Sequence, residues 1–290
     1  MNRFALFCLL LLLPVATIPA QEARLNVVVF GAHPDDCDLD AGGTALLFSS
    51  LGHRVKFVSM TNGDAGHYEL DREALSAVRR QEAAEAGKRF GVTYTVLDNH
   101  DGELVPSLEN RMQVIREIRS WDADIVIAPR PNDYHPDHRY TGVLVQDAAY
   151  MVIVPSVAPD TPPLKKNPVF LYSADHFQKP SAFEPHIAVD IGPVFEKKIY
   201  ALAAHASQFF DWLPWTMGQL DQVPESEAER LEYLAKWRAA APDSATRKSL
   251  EKWYGPRGSR VAHAEAFEVC EYGKQPTDEE IRRLFPMLQP

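Results

Sequence analysis

Basic residues are scarce in this 290-residue chain: 30 Lys and Arg stand against 40 Asp and Glu, a formal charge of −10. A surface of that sign repels a polyanion and offers no counterion release, which argues against general nucleic-acid binding. Cysteine is scarcer still, three in all, too few for a disulfide scaffold. A chain of this length must instead be held by a hydrophobic core. Internal repeats and low-complexity tracts are lacking, and no G-x-G-x-x-G follows the first strand, so the dinucleotide fingerprint is missing. Only one apolar run is long, residues 4–15, and it falls short of the ~20 residues that cross a bilayer.

That run follows the basic start Met1-Asn2-Arg3 and ends at Ile18-Pro19-Ala20, just before polar Gln21-Glu22. The pattern reads as a secretory signal peptide over residues 1–20, cleaved near Ala20. The expectation is an exported protein, periplasmic or secreted, without stable membrane insertion. Residues 21–290 read as one catalytic domain, with a core over about 24–206 and a partly helical C-terminal extension over about 207–290.

After Gln21, short β-branched runs alternate with amphipathic stretches. Runs at 25–31, 55–60, 93–97, 124–128, 169–172 and 187–191 predict strands, the first dense enough in valine to be buried on both faces. Helical spacing is expected over 43–51, 72–90, 107–121 and 194–206, with a loop over 155–168. Strand alternating with helix means crossover units, hence an α/β fold with a mainly parallel sheet and helices on both faces. Such sheets carry their sites beyond the carboxyl ends of the strands.

Two of those ends hold unusual polar runs. The first strand leads into His33-Pro34-Asp35-Asp36-Cys37-Asp38, and the fourth into Asn132-Asp133-Tyr134-His135-Pro136-Asp137-His138. A parallel sheet can bring His33, Asp36 and His138 together on one cation. Catalytic zinc sites take three protein ligands and keep an open position for water. Asp35, beside the ligand Asp36, is left to take the proton from that water. The prolines suit stiff loops that pre-orient their neighbours.

Ala32-His33-Pro34-Asp35-Asp36, Gly42-Gly43-Thr44, Gly52-His53-Arg54-Val55, Thr61-Asn62-Gly63-Asp64 and His135-Pro136-Asp137-His138 together resemble the PIG-L/LmbE-like family of zinc-dependent de-N-acetylases. The resemblance extends through Arg79-x-x-Glu82-x-x-x-Ala86, Phe90-Gly91-Val92, Asp101-Gly102, His205-x-Ser207-Gln208 and Ala264-Glu265-Ala266-Phe267. It implies a Rossmann-like fold, zinc on His33, Asp36 and His138, and Asp35 as general base. It also implies His135 as oxyanion donor or acid toward the leaving amine, Asp137 orienting His135, and sugar contacts from Arg79 and Asp101. The implied substrate is a small molecule or glycan carrying an N-acetyl group. Ferrous iron is the alternative cation, since two histidines and an aspartate also suit it.

This sequence departs from the family pattern at Asp38, where a glutamate is usual, and a pairing of Cys37 with Cys270 is conceivable. His205 and His263 are candidates to line the pocket, and Trp212-Leu213-Pro214-Trp215 reads either as a sugar-stacking platform or as a core or interface cluster. Three other readings stay open: the same metal site acting on another amide or an ester, a non-catalytic carbohydrate-binding protein, and a metal-free glycoside hydrolase.

Overall fold

A computed structural model describes residues 24–288 of the chain, and the signal-peptide segment lies outside them. Seven strands form one sheet: β1 (Asn26–Gly31), β2 (Arg54–Thr61), β3 (Thr93–Asn99), β4 (Ile125–Ala128), β5 (Val169–Ser173), β6 (Ile187–Asp190) and β7 (Ala264–Gly273). Their order is β3-β2-β1-β4-β5-β7-β6. The first five are parallel, and β7 runs antiparallel to β5 and β6. This is an α/β domain with a mostly parallel, Rossmann-like sheet. The chain moves outward one way from β1 to β2 and the other way to β4, so the topological switch lies between β1 and β4.

Every residue of β1 after Asn26 is buried, because both faces of the sheet are covered. Val27 and Val29 join one apolar cluster with Phe48, Phe57 and Phe90, while Val28 and Phe30 join another with Ile115, Ile118 and Leu144. The helices behind the first cluster are α1 (Asp36–Ser50), α2 (Arg72–Phe90) and, later in the chain, α5 (Phe195–Leu202). Those behind the second are α3 (Leu108–Ser120) and α4 (Pro136–Met151). Cys37 belongs to the first cluster and Cys270 to the second. The sheet separates the two thiols, both are free, and the conceivable disulfide is not formed.

Three boundaries differ from the sequence expectation. Helix α1 starts at Asp36 rather than near residue 43. The Gly42-Gly43 pair is interior to it, where a Cβ on Gly42 would stand 2.7 Å from the Phe90 ring and one on Gly43 2.7 Å from Ile191. These glycines mark close approach of neighbouring elements, not a helix start. Glu265 of β7 also enters here, accepting the amides of Gly43 and Thr44 at 2.8 and 2.7 Å, while Lys198 donates to the Leu39 carbonyl and to Glu265. Second, α4 begins with Pro136 at a first-turn position, so His138 rides on a helix instead of the loop expected for it. Third, the helix expected over 194–206 is shorter, and a π-helical segment follows at Ser207–Trp212.

The region expected as an extension supplies α6 (Leu213–Thr216), α7 (Glu227–Arg238), α8 (Ser244–Tyr254) and α9 (Asp278–Leu284). It also supplies β7, which lies inside the sheet. The loop after α4 is ordered by Arg119, a buried guanidinium that donates to the carbonyls of Met151, Val152, Val154, Val157, Ala158 and Thr161. Among the described residues no helix is long and apolar enough to cross a membrane.

Candidate active site

The switch point brings the carboxyl ends of β1 and β4 side by side, and with them the two His-Pro-Asp segments. His33 Nδ1 stands 3.2 Å from His138 Nε2, and Asp36 Oδ2 lies 3.5 Å from the former and 3.4 Å from the latter. The carboxylate is aimed by the amides of Ala32 and His33, each donating to Oδ2 at 2.8 Å. Donors about 2.0–2.2 Å from one cation at tetrahedral angles stand about 3.3–3.6 Å apart. The triangle formed by these three atoms therefore has the edge lengths of a tetrahedral metal site, and its donors suit a zinc or ferrous ion.

Carboxylates stand behind both imidazoles. His33 Nε2 faces Asp101 Oδ1 at 3.2 Å and Asp137 Oδ2 at 3.4 Å, and His138 Nδ1 faces Asp133 Oδ2 at 3.2 Å. Such partners fix ring orientation and raise ligand basicity. Burial opposes charge on His138, yet Asp36 and Asp133 outweigh it and hold the imidazole at about 9. His33 is likewise raised against its burial, by Asp101, Asp137 and Asp36. Asp36 is held well below the carboxylate range: burial pushes it up, and His138 and His33 more than reverse that. Without metal the carboxylates favour protonated imidazole here, with one proton between the facing nitrogens of His33 and His138, and a cation must displace it.

Asp35 stands at the N-cap position of α1 without a side-chain capping bond and is 2% exposed. Its Oδ1 is buried without a hydrogen-bond partner. Burial and then the neighbouring Asp36 push its carboxyl up to about 6. An unpartnered buried carboxylate oxygen beside a cluster of candidate metal ligands is an uncommon arrangement, costly to the fold and suited to accepting a proton.

His135 is the N-cap of α4, and its Nδ1 accepts the Asp137 amide at 3.3 Å. That bond puts the proton of the neutral ring on Nε2. Burial, then the charges of His33 and His138, lower its pKa. The ligand-type atoms of His33, His135 and His138 lie within 4.8 Å of one another, so His135 borders the cation site with one nitrogen already engaged. The expectation that Asp137 orients His135 through its carboxylate is not met. The fully buried carboxylate instead accepts the amides of Gly102 at 2.7 Å and Leu104 at 3.3 Å while facing His33. It touches His135 only through the backbone.

Arg79 is 2% exposed and donates to the Gly66 carbonyl at 3.2 Å and to Gln208. Asp101 turns toward His33, and its backbone amide donates to Asp64 at 3.0 Å. Both nevertheless border a cavity of about 430 Å³ that is also lined by His33, Asp35, Asp36, His135, His138, Tyr134 and Trp212. His205 is fully buried, bonded to Asp38 at 3.0 Å, and Tyr94 donates to the same carboxylate at 2.7 Å. His263 lines a different cavity and stacks on Phe195.

Asp133 was not singled out from the sequence. The signal was its position five residues before His138 in the same stiff loop.

The PIG-L family model, described as GlcNAc-PI de-N-acetylase, matches residues 28–149. A diacetylchitobiose deacetylase of Thermococcus kodakarensis is 29% identical over 198 residues, 66% of this chain and 73% of the relative. Among solved structures, an N,N'-diacetylchitobiose deacetylase from Pyrococcus horikoshii superposes with a TM-score of 0.64 at 27% identity, covering 84% of this chain and 83% of that one. A 4-carboxy-2-hydroxymuconate hydratase from Pseudomonas putida has the same TM-score of 0.64 at 19% identity, covering 88% and 98% of the two chains. That last likeness concerns the fold alone, which hosts more than one chemistry. The matched span runs from within β1 into α4 and contains both His-Pro-Asp segments, and over that span the chain is similar to the PIG-L family.

Proposed function

We propose that this chain is a metal-dependent hydrolase that removes the acetyl group from an N-acetylated amino sugar or glycoconjugate. The observation that carries the reading is the tetrahedral spacing of His33, Asp36 and His138, with the unpartnered Asp35 carboxylate in the same cavity. The family likeness supports it, as do relatives named for deacetylating diacetylchitobiose.

A zinc or ferrous ion held by His33, Asp36 and His138 would supply Lewis acidity toward water and the acetyl carbonyl. Asp35 accepts the proton of the attacking water. Its raised pKa makes it a stronger base than an ordinary carboxylate, and one able to pass the proton on. His135 donates from Nε2 to the carbonyl oxygen as negative charge develops there, and serves the departing nitrogen. Asp101 and Asp137 steady His33, and Asp133 steadies His138. Arg79 orders the cavity wall through Gly66 and Gln208, and Asp101 borders the cavity where a sugar hydroxyl would lie.

The test is acetate release from N-acetylglucosamine and its oligomers by the purified protein, abolished by a chelator and restored by zinc or ferrous iron. Turnover that persists after complete metal removal overturns the reading. Export is part of the proposal and rests on residues 1–20 alone.

A further inference from the structure

The loop after β2 meets the end of the π-helical segment and α6 in a stack of four aromatic rings. His67 lies on Tyr68 with centroids 4.8 Å apart at 12°, Tyr68 on Trp215 at 5.2 Å and 12°, and Trp215 on Trp212 at 5.3 Å and 17°. Ring planes in contact are only about 3.5 Å apart. Nearly parallel rings with centroids this far apart are therefore displaced sideways, like steps, and part of each face stays uncovered. Trp215 is 46% exposed. The innermost step, Trp212, lines the cavity that holds His33, Asp35 and His138, so the staircase runs from the candidate active site outward.

The steps are held rigidly. The Gly66 carbonyl accepts from Arg79, and His67 Nδ1 accepts the amides of Glu69 and Leu70, both at 3.1 Å. Gly66 itself packs on Trp212, where a Cβ would come within 3.2 Å of the indole nitrogen. Core formation does not account for such an arrangement, because Trp215 is exposed and Tyr68 and His67 are only half-buried. The surroundings are acidic: Glu69 and Asp211 are the carboxylates whose charge, after desolvation, raises the Tyr68 phenol. Acidic neighbours on a chain of net charge −10 repel an anionic lipid surface. They suit a ligand with an apolar face and a rim of hydroxyl donors, which describes a pyranose ring.

We propose that Trp212, Trp215 and Tyr68 form a subsite for a second sugar ring, so that the substrate is an oligosaccharide or glycoconjugate extending beyond the unit that loses its acetyl group. This deepens the deacetylase reading and rests on it. The rings are pre-ordered, so stacking on them loses little conformational entropy.

The experiment compares N-acetylglucosamine with its β-1,4-linked di- and trisaccharides in the wild-type protein, Trp215→Ala and Trp215→Phe. Specificity constants come from acetate release, and trisaccharide affinity from calorimetry. In the wild type kcat/KM rises with chain length. Trp215→Ala lowers the trisaccharide-to-monosaccharide ratio by roughly threefold to tenfold, and Trp215→Phe keeps most of it. Equal losses on all lengths, or a wild type indifferent to length, overturn the subsite. If no acetate is released from any sugar, the deacetylase reading fails. The calorimetric arm then still decides the subsite: weaker trisaccharide binding by Trp215→Ala supports it, and equal or absent binding overturns it. Wild-type binding to phosphatidylglycerol vesicles without glycan binding assigns the rings to a membrane surface and also overturns it.

Discussion

His33 Nδ1 and His138 Nε2 face each other at 3.2 Å, although the residues are 105 positions apart in the chain. Two imidazole nitrogens at that distance must share a proton or a cation. Because Asp36 and Asp133 hold His138 at about 9 without metal, protons compete with metal throughout the neutral range. We expect one divalent cation per chain, bound with release of at least one proton at pH 7. Its apparent affinity rises with pH up to about 9 and falls as pH drops, because the protonated ring cannot ligate. Calorimetry in buffers of different ionisation enthalpy measures the proton count. His33→Ala and His138→Ala should lose the metal, and retention of full metal content by either would remove that residue as a ligand.

Asp133 supports His138 from behind, and the sign of its effect is fixed by the contact. Asp133→Asn keeps the shape and still accepts from Nδ1, but removes the charge that raises the ring. Metal affinity should fall about 10–100-fold with the ligands themselves intact. The His138 pKa in the metal-free protein, followed by NMR, should fall with it. An unchanged pKa would show that Asp36 alone sets the titration of this ring.

The grouping of His33, Asp36 and His138 was legible in the sequence because each member follows a strand whose valine and isoleucine density marks it as buried. The switch point between β1 and β4 then leaves those ends nowhere to go but together. The supporting residues were not legible, because side-chain direction across distant loops decides them. Asp137 is adjacent in sequence to the histidine loop, yet its carboxylate turns to Gly102, Leu104 and His33. Two motifs without an evident chemical role prove to be halves of one bracket. Glu82 accepts the Ser207 amide and hydroxyl at 2.7 and 2.6 Å, and Arg79 donates to Gln208. β7 escaped notice because its alternation, Ala-Glu-Ala-Phe, carries Glu265 in a buried position, where Lys198 and the α1 amides satisfy it.

Asp35 carries a stability cost that follows from its burial beside Asp36. Its carboxyl sits near 6 in the folded protein against an ordinary value of 3.8, with burial the main cause and Asp36 the next. A raised carboxyl favours the fold while protonated, and that benefit is lost as pH rises through about 6. At pH 7.5 the metal-free protein therefore holds an unfavourable buried charge. Asp35→Asn should stabilise it by about 1–3 kcal/mol while lowering kcat by about 10²–10⁴-fold with metal content unchanged. Thermal melts with and without chelator, beside metal analysis, separate the two effects. A less stable metal-free variant would contradict the assignment of Asp35 as an unpaired base.

His135 borders the candidate cation site and its cavity, and its bonding decides how it would act. Nδ1 accepts the Asp137 amide, so the resting ring is neutral with its proton on Nε2. Burial and the adjacent His33 and His138 keep its pKa low, and the Asp137 carboxylate is engaged elsewhere. A neutral donor of this kind stabilises a developing oxyanion, typically by about 10²–10³ in kcat. It does not titrate on the alkaline side of the profile. We therefore expect His135→Ala to keep its metal and to lose about two to three orders of magnitude in kcat, with the alkaline limb of kcat/KM at its wild-type position. The loss should be larger on an N-acetyl sugar than on an activated acetyl ester, because only the departing amine needs a proton. Equal losses on both substrates would confine His135 to the oxyanion contact. A shifted alkaline limb would mean that the ring works as an imidazolium.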